Sequence, residues 1–563
     1  MKFFLSLVVF FSILFRSAEA QTAWLTTRMP GENPHVETRA VWLTTIGGID
    51  WPHSYSQSAY TAGKQQEELR QILDRLAEAN INTVLLQTRI RATTIFESPF
   101  EPWDGCLSGH PGQSPGYDAL QFAIDECHRR GMKLHAWVVT IPIGKWNDAG
   151  CRNLRKTHPY LLKKIGDEGF MNPENSGTAD YIAKFCSDIV SRYDIDGIHL
   201  DYIRYPDTWG RISDKKRGRD NITNIVRNVY GRIKAVKPWV QVSCSPVGKY
   251  ADTRRQWSHG WNARDVVCQD VALWLKEGCM DAVYPMMYFK DENFYPFAID
   301  WQERSCGKTI SPGLGIYFMH PKEKNWRLSD ITRELWTVRQ YGMGNCMFRS
   351  KFFTDNTKGI YDYFKDSFAT VPSLTPATDR LSDGKPHAPR SLTATQQGGN
   401  VTLTWEDDTT RPPHSVTYNV YGSAEASVDI TKAENLLCAN LQQCSIELGK
   451  TYHITHFAVT ATDRYGSESL PATTDNDVET GSGKSPFLNY VGGEVMLDNA
   501  DVQSNSPVVI TTIFGNDCSY ALVKELNGHK TARPAQLAVG NYSIYTINKK
   551  GHRHLIGHFS VRP

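Results

Sequence analysis

The sequence predicts an exported α/β protein in which a (β/α)8 barrel is followed by two small all-β domains. Three observations lead to this prediction. The chain opens with a short apolar run, and short β-rich segments then alternate with helical ones from Arg39 to about Phe368. From residue 389 onward, apolar and polar side chains alternate with a period of two. A chain of 563 residues is also too long for one ordinary core, so several domains are expected.

The first twenty residues are typical of a secretory signal peptide. Lys2 is followed by the apolar run 3–15 and then by Ala18-Glu19-Ala20, which is a small-x-small cleavage motif. The apolar run is shorter than a helix that crosses a bilayer, which argues against a retained membrane anchor. We therefore expect cleavage after Ala20 and an exported mature chain, periplasmic or extracellular, with no membrane span.

Charge and cysteine content exclude several classes of function. The formal net charge is +2 at pH 7, so no basic field is available to bind nucleic acid. There are 12 cysteines but no C-x-x-C or H-E-x-x-H motif, so we expect no metal site and no cofactor. Cys438 and Cys444 fit either a local disulfide or two buried free thiols. The sequence leaves the oligomeric state open.

Eight short segments between residues 37 and 370 are predicted to be strands. They are mostly apolar and rich in Val, Ile and Leu, as expected for parallel strands that are covered on both faces. The predicted strands are residues 40–45, 83–88, 134–139, 197–200, 240–245, 282–287, 309–311 and 346–348.

Amphipathic segments separate these strands. In residues 65–79, Leu69, Leu73 and Leu76 recur at helical spacing. Similar patterns occur in residues 117–130, 178–193, 220–236 and 329–341. Eight alternations of strand and helix predict a (β/α)8 barrel for residues 37–370. The alternative is a doubly wound open sheet, but no Gly-rich phosphate loop follows the first strand.

The composition changes after residue 370. Residues 371–388 are rich in Pro, Ser, Thr and Asp, which indicates a linker. Residues 389–475 resemble a fibronectin type III domain, with Trp405, Tyr418 and Tyr421 at the usual core aromatic positions. Residues 485–563 also consist of short strand and turn patterns, which predict a second small β-sandwich.

The loops after the strands of a (β/α)8 barrel converge on its active site, so we expect the chemistry there. Asp201 ends the fourth strand and is the first candidate. The other candidate acids are Asp270 and Glu101, and the candidate substrate-binding residues are Arg89, Arg91, Trp103, His135, His199, Tyr202, Arg204, Tyr284, Tyr288 and Tyr317. Aromatic rings stack on sugars, and glycoside hydrolysis needs two carboxyl groups that flank one bond. The G-x-S-x-G motif of serine hydrolases is absent.

These acids also have structural interpretations. Asp270 precedes an apolar helical segment, where Asp is a good N-cap. Glu101 could be held in a structural ion pair by Arg89 or Arg91.

Several motifs resemble the bacterial glycosyl-hydrolase-like 10 family. They are "ETRAVWLTTIGGIDWP", "FEPW", "HAW", "DGIHLDYIRYP", "SPVG", "QDVALWLKEGCMDAVYPMMY" and "PGLGIY", and they follow the family's order through most of residues 37–368. The resemblance implies a TIM-barrel glycosidase that acts on a sugar polymer, and one branch of the family acts on peptidoglycan glycan strands. Many members carry a second acid directly after the one that matches Asp201, but Tyr202 stands there in this chain. The second catalytic carboxyl is therefore unassigned, with Asp270 preferred over Glu101, and Asp291 or Glu292 behind both.

The same stretch partly resembles the D-G-x-D-x-D-x-E motif of family 18 chitinases. Ile203 stands where the catalytic Glu of those enzymes belongs, and an alkyl side chain cannot donate a proton. Chitinase chemistry of that type is therefore rejected.

From the sequence we expect an exported glycoside hydrolase that cleaves a polysaccharide or a peptidoglycan glycan strand. Asp201 is predicted to be the nucleophile or base. The alternative is a non-catalytic glycan-binding barrel, which would keep the aromatic residues without a working acid pair.

Overall fold

The computed structural model describes residues 33–256, 260–378, 385–397, 400–407, 415–425, 428–449, 454–474, 488–497, 502–512, 517–526, 529–538, 540–547 and 553–561. The predicted signal peptide lies outside these residues. Within them, no helix is long and apolar enough to cross a bilayer.

A curled parallel sheet forms the centre of the larger α/β region. Its strands are β1 (Arg39–Leu43), β2 (Thr83–Arg89), β3 (Lys133–Val139), β4 (Gly197–Asp201), β5 (Gln241–Ser245), β6 (Ala282–Val283 and Met286–Met287), β7 (Thr309–Ile310 and Gly313–Leu314) and β8 (Asn345–Met347). Because β6 and β7 are each interrupted, the sheet has ten strand segments. The pairing is parallel throughout, and β8 pairs with both β1 and the second segment of β7. The prediction of a mixed α/β fold built on a parallel sheet is confirmed, and each predicted strand overlaps an observed one.

Helices lie along the chain between these strands. The α-helices of this region are Ala59–Glu78, Gly105–Ser108, Ala119–His128, Ala149–Thr157, Ser176–Arg192, Lys215–Val236, Val271–Lys276, Tyr295–Glu303, Leu328–Gln340, Ser350–Thr354 and Ile360–Tyr363. Single turns of 3-10 helix occur at Ile46–Gly48, Pro159–Leu161, Asp207–Trp209, Asp291–Asn293, Ile316–Met319 and Thr357–Gly359, and a π-helical turn at Phe364–Phe368. The first long helix begins six residues before the predicted segment, because Ser58 and Thr61 form a capping box.

Alternate strand residues face the inside of the curled sheet. Trp42, Trp137 and Tyr284 belong to this inner cluster, whereas neighbours such as Val41 and Val138 join the larger outer core against the helices. Asp201 is the last residue of β4 and pairs with Val139 and Ser245 in the sheet. The register therefore places Asp201 at the end of the sheet where the strands finish.

The chain leaves the sheet after β3 to form a small antiparallel sheet. Its strands are Pro142–Lys145, Leu162–Ile165 and Glu168–Met171, with the last of them in the middle. The sequence did not predict this excursion, and it supplies one wall of the cavity described below.

The C-terminal part of the chain is all β. Two antiparallel sheets contain Arg390–Gln397, Asn400–Glu406 and Ser445–Leu448, and Val416–Ser423, Leu436–Leu441, His456–Asp463 and Ala472–Thr473, with a 3-10 turn at Ala433–Asn435. Trp405 and Tyr418 pack together in their shared core with ring centroids 5.4 Å apart. A further sheet contains Tyr490–Val491, Glu494–Met496, Pro507–Thr512, Asp517–Leu526, His529–Ala532, Gly540–Ile547 and Arg553–Val561. The expectation of antiparallel β structure is confirmed, and the fibronectin type III assignment stays a prediction.

The first of these β regions contacts the end of the curled sheet where the strands begin. Arg464 forms a two-point ion pair with Asp194, just before β4, and the Asn440 amide donates to the Gly131 carbonyl, just before β3, at 3.0 Å. The contact is therefore at the opposite end of the sheet from Asp201. Cys438 and Cys444 are both free thiols and half-buried.

Candidate active site

A cavity of 480 Å³ opens at the end of the curled sheet where the strands finish. Its volume is within the usual range for sites that bind small molecules. Aromatic, aliphatic and a few charged side chains line it; they include Trp42, Trp137, Phe170, Tyr202, Tyr288, Phe348, Ile46, Ile90, Arg91, Glu168, Asp201 and Asp207. We call it the Asp201 cavity.

Three hydrogen-bond donors hold the Asp201 carboxylate. Its Oδ1 accepts from the Ser245 hydroxyl at 2.9 Å and from the Tyr202 backbone N–H at 2.8 Å. Its Oδ2 accepts from the Trp137 indole N–H at 3.1 Å. Tyr202 has a φ of 52°, a left-handed conformation that is unfavourable for a side chain of this size. Such strain is characteristic of sites where backbone geometry serves a function.

Burial and hydrogen bonding act on Asp201 in opposite directions. Burial raises the pKa of the Asp201 carboxyl above its ordinary value, because a charge is costly away from water. The hydrogen bonds from Ser245, the Tyr202 N–H and Trp137 favour the ionised form and lower the pKa, but the net shift is upward. The result is a carboxylate that is oriented by its donors and more basic than an exposed one.

His199 lies in the buried layer beneath this carboxylate. Its Nε2 is 3.2 Å from the Trp42 indole N–H, and its Nδ1 is 3.0 Å from the Ser243 hydroxyl. Because the indole can only donate, Nε2 accepts and the neutral ring carries its proton on Nδ1. Burial lowers the pKa of His199 well below its ordinary value, so the ring is neutral. His199 therefore supports the floor of the site and does not line the cavity.

Glu168 is a second acid in the Asp201 cavity, and the sequence did not single it out. It begins the central strand of the small sheet after β3, and Phe170, two residues on, lines the same cavity. Within the described residues, its carboxylate forms no ion pair or hydrogen bond. Asp207 also lines the cavity, but it is paired with Arg204 at 2.9 Å. Among the residues that the structure describes, Glu168 is therefore the unpaired carboxylate that shares the cavity with Asp201.

Of the residues predicted from the sequence, Asp201, Arg91, Tyr202 and Tyr288 line the cavity. Glu101 does not. It is buried against Arg89, which donates to it from Nε at 2.8 Å and from a terminal nitrogen at 2.7 Å, and the Tyr181 hydroxyl is 3.1 Å away. This is the structural ion pair that the sequence offers as the alternative to a catalytic role. Arg89 also donates hydrogen bonds to the backbone carbonyls of Val139 and Thr140.

Asp270 is likewise absent from the residues that line the cavity. It precedes the helix Val271–Lys276, accepts a hydrogen bond from the Tyr250 hydroxyl at 2.7 Å, and lies 3.5 Å from the Arg219 Nε. Its neighbours account for its charge without a substrate. Asp291 and Glu292 also lie outside the lining, in a 3-10 turn.

The other predicted residues lie next to the cavity or far from it. His135 pairs with Gly197, the first residue of β4, and together with Tyr284 it lines a small cavity at the opposite end of the sheet. Its strand runs from Lys133 to Val139, so "HAW" lies in the middle of β3 and His135 is not at the end of the strand. Arg204 and Tyr317 lie next to the Asp201 cavity. The Arg204 guanidinium is 4.2 Å from the ring centroid of Tyr202. The ring centroids of Tyr317 and Tyr288 are 5.7 Å apart.

Trp103 is half-buried and packs at the edge of the main core. Among the residues that the structure describes, no group of three or more His, Cys, Asp or Glu is arranged to hold a metal ion.

Two curated relatives carry glycosyl hydrolase names. Glycosyl hydrolase YngK of Bacillus subtilis (strain 168) is 26% identical over 408 residues, which cover 65% of this chain and 78% of the relative. Glycosyl hydrolase DigH of Escherichia coli (strain K12) is 30% identical over 291 residues, which cover 45% of this chain and 65% of the relative. Of the solved structures, the PgaB (BpsB) glycoside hydrolase domain from Bordetella bronchiseptica is 13% identical with a TM-score of 0.40, covering 61% of this chain and 100% of that one.

The sequence profile of the family described as glycosyl hydrolase-like 10 matches residues 37–217 and 213–321. These residues contain β1 to β7 and most of the lining of the Asp201 cavity. Because the match spans half of the chain, the protein belongs to the glycosyl hydrolase-like 10 family.

Proposed function

We propose that the protein is an exported glycoside hydrolase that cleaves O-glycosyl bonds in a polysaccharide or in a peptidoglycan glycan strand. The observation that carries this proposal is the position of Asp201, a buried carboxylate with three donors in an aromatic-lined cavity. The family membership and the names of the two relatives support a glycosidase.

Asp201 is the nucleophile or the base in this proposal. Its donors orient the carboxylate and favour its ionised form, and burial makes it more basic than an exposed Asp. Glu168 takes the role of proton donor to the leaving oxygen, because it is the acid of the same cavity that has no partner in the described part of the chain. Two carboxyl groups that flank one glycosidic bond are the usual requirement for this chemistry. Tyr202, Tyr288 and Trp137 offer ring faces and polar edges to the sugar.

The curled sheet acts as a (β/α)8 barrel, which brings the loops after the strands together around Asp201. The two β regions are a fibronectin type III-like domain and a second β-sandwich, and they act as spacers or docking modules. The contact of Arg464 with Asp194, at the far end of the sheet from Asp201, supports a role outside the chemistry.

The second candidate function is a non-catalytic glycan-binding barrel. Tyr202 supports it, because it stands where many relatives in the family carry a second acid. One experiment separates the two functions: the mature chain is incubated with peptidoglycan glycan strands and with a broad panel of polysaccharides, and new reducing ends and binding are both measured. Cleavage of any member of the panel supports the hydrolase, whereas binding without cleavage across the whole panel supports the binding protein.

A further inference from the structure

A second cavity, of 520 Å³, lies beside the Asp201 cavity at the same end of the sheet. The two cavities share Ile46, Ile90 and Arg91. We call the second one the side cavity. Its walls come from the turn after β1 and the loop after β2, and Asp148 and Ala149, at the start of the helix Ala149–Thr157, also line it.

Arg91 stands at the junction of the two cavities. It lines both of them, and within the described residues its side chain forms no ion pair or hydrogen bond. Gly144, at a φ of 89°, lies so close that a Cβ there would be 3.3 Å from the Arg91 Cβ. The absence of a side chain at Gly144 thus leaves room for the Arg91 stem, and the guanidinium is left with donors for a ligand's hydroxyl, amide or carboxylate oxygens.

Tyr55 supplies an aromatic platform in the side cavity. Its side chain is 58% exposed although it is a large ring. Gly109, at a φ of 81°, lies against one side of the ring, where a Cβ would be only 3.2 Å from two ring carbons. The ring therefore has a support on Gly109 and remains largely open to solvent. An open, supported ring is suited to stack on the C–H face of a sugar.

Fixed polar groups complete the side cavity. The Asp104 carboxylate accepts from the Thr93 hydroxyl at 2.6 Å and from the Cys106 backbone N–H at 2.8 Å. Ile46, which lines both cavities, is also held in place, because the Gln87 side-chain oxygen accepts hydrogen bonds from the backbone N–H groups of Thr45 and Ile46. A site with an open ring and a few oriented polar groups is the usual composition of a small-molecule site.

We propose that the side cavity binds the sugars that neighbour the cleaved one, so that the ligand is a linear glycan chain that crosses Arg91. This inference rests on the proposed glycan ligand, but it does not depend on whether the protein cleaves it. Each cavity alone has the volume of a ligand site, so a single sugar that binds beside Asp201 would leave the side cavity empty.

The test measures binding, so that it is independent of cleavage. Peptide-free peptidoglycan glycan strands and chitin oligosaccharides, each separated from the disaccharide to the octasaccharide, are titrated calorimetrically into the full chain with Asp201→Asn. Two further changes are added to this background one at a time: Tyr55→Ala, which removes the platform, and Ala149→Trp, which fills the side cavity. Tyr60→Ala is the matched control, because Tyr60 is 83% exposed and lines neither cavity.

We expect affinity to rise with chain length in the Asp201→Asn background. Tyr55→Ala and Ala149→Trp should weaken the long chains by about tenfold, the loss expected when a stacking platform is removed. The disaccharide should bind all variants alike, which also shows that they are folded. Three results would overturn the inference. They are no binding of a glycan of any length, equal affinity for all lengths, and a rise of affinity with chain length that remains in both Tyr55→Ala and Ala149→Trp. If the length effect holds but the unmutated chain cuts no glycan, the hydrolase proposal fails and this one stands.

Discussion

The Trp137 indole N–H donates a hydrogen bond to Asp201 Oδ2 at 3.1 Å, from the strand that neighbours β4. Both residues line the cavity, and both are nearly buried, at 5% and 6% exposure. The indole therefore fixes the direction of the carboxylate and favours its ionised form. This pair makes the electrostatics of the site open to experiment.

Trp137→Phe should keep most of the ring and remove this donor. Loss of a hydrogen bond to a charged group costs about 1.5–3 kcal/mol, so we expect kcat/KM to fall by at least about tenfold. The pKa of Asp201 should rise, because the ionised form loses a partner. A group that works ionised is active above its pKa, so the acidic limb of the pH profile should move to higher pH. The pH dependence of kcat/KM checks this.

Trp42→Phe is the control for that change. Trp42 also lines the cavity and also loses an indole N–H, but its partner is His199. We expect the free energy of unfolding to fall by about 1–3 kcal/mol and the acidic limb of the pH profile to stay at the same pH. If the limb moved equally in both variants, the hydrogen bond from Trp137 would not be what tunes Asp201.

Glu168→Gln should remove the proton donor that we propose. The expected loss in kcat is about 10²–10⁴-fold, and it should be smaller for a synthetic glycoside whose leaving group needs no proton. Rates on the natural glycan and on an aryl glycoside with an acidic phenol check this. The control is Asp167→Asn, its sequence neighbour, whose carboxylate is 78% exposed and only 3.9 Å from Lys145 Nζ. Similar rates for the two variants on both substrates would exclude Glu168 from the role.

Glu101→Gln should reduce stability and spare the chemistry. Glu101 is buried in an ion pair with Arg89, and removal of one charge from such a pair costs about 3–5 kcal/mol. We expect a clearly lower midpoint of thermal unfolding and a near-normal kcat for the folded fraction. Replacement of both residues by apolar ones should cost less than the single change. A stable Glu101→Gln protein without activity would instead make Glu101 catalytic, as the sequence first allowed.

The strands of the curled sheet could be predicted from the sequence because their causes are local. Residues buried on both faces give short apolar runs, and Asp201 is recognisable because it ends such a run between Leu200 and Tyr202. The same local reasoning fails for His135, because a strand of seven residues has two ends and the apolar pattern does not say which end carries a polar side chain.

Glu168 could not be predicted as a site residue for a different reason. It lies 29 residues after Val139 in the chain, and it reaches the Asp201 cavity only because the excursion after β3 folds back as a small sheet. The local pattern "DEGFM" does not indicate that its Glu lines a cavity next to Asp201, which is on a strand of the other sheet. The ion pair of Glu101 is the structural alternative that the sequence offers. Asp270 stands at the N-cap position without a capping hydrogen bond and is held by Tyr250 and Arg219 instead. Tertiary contacts decide between such alternatives.

The most direct test of the account compares the release of reducing ends by the unmutated chain and by Asp201→Asn on whichever glycan the unmutated chain cleaves. Asp188→Asn serves as the control, because Asp188 is on a helix and pairs with Arg192. We predict that Asp201→Asn loses at least about 10³-fold in kcat and still binds the glycan, while the control keeps its rate. Equal cleavage by Asp201→Asn and the unmutated chain would contradict the account.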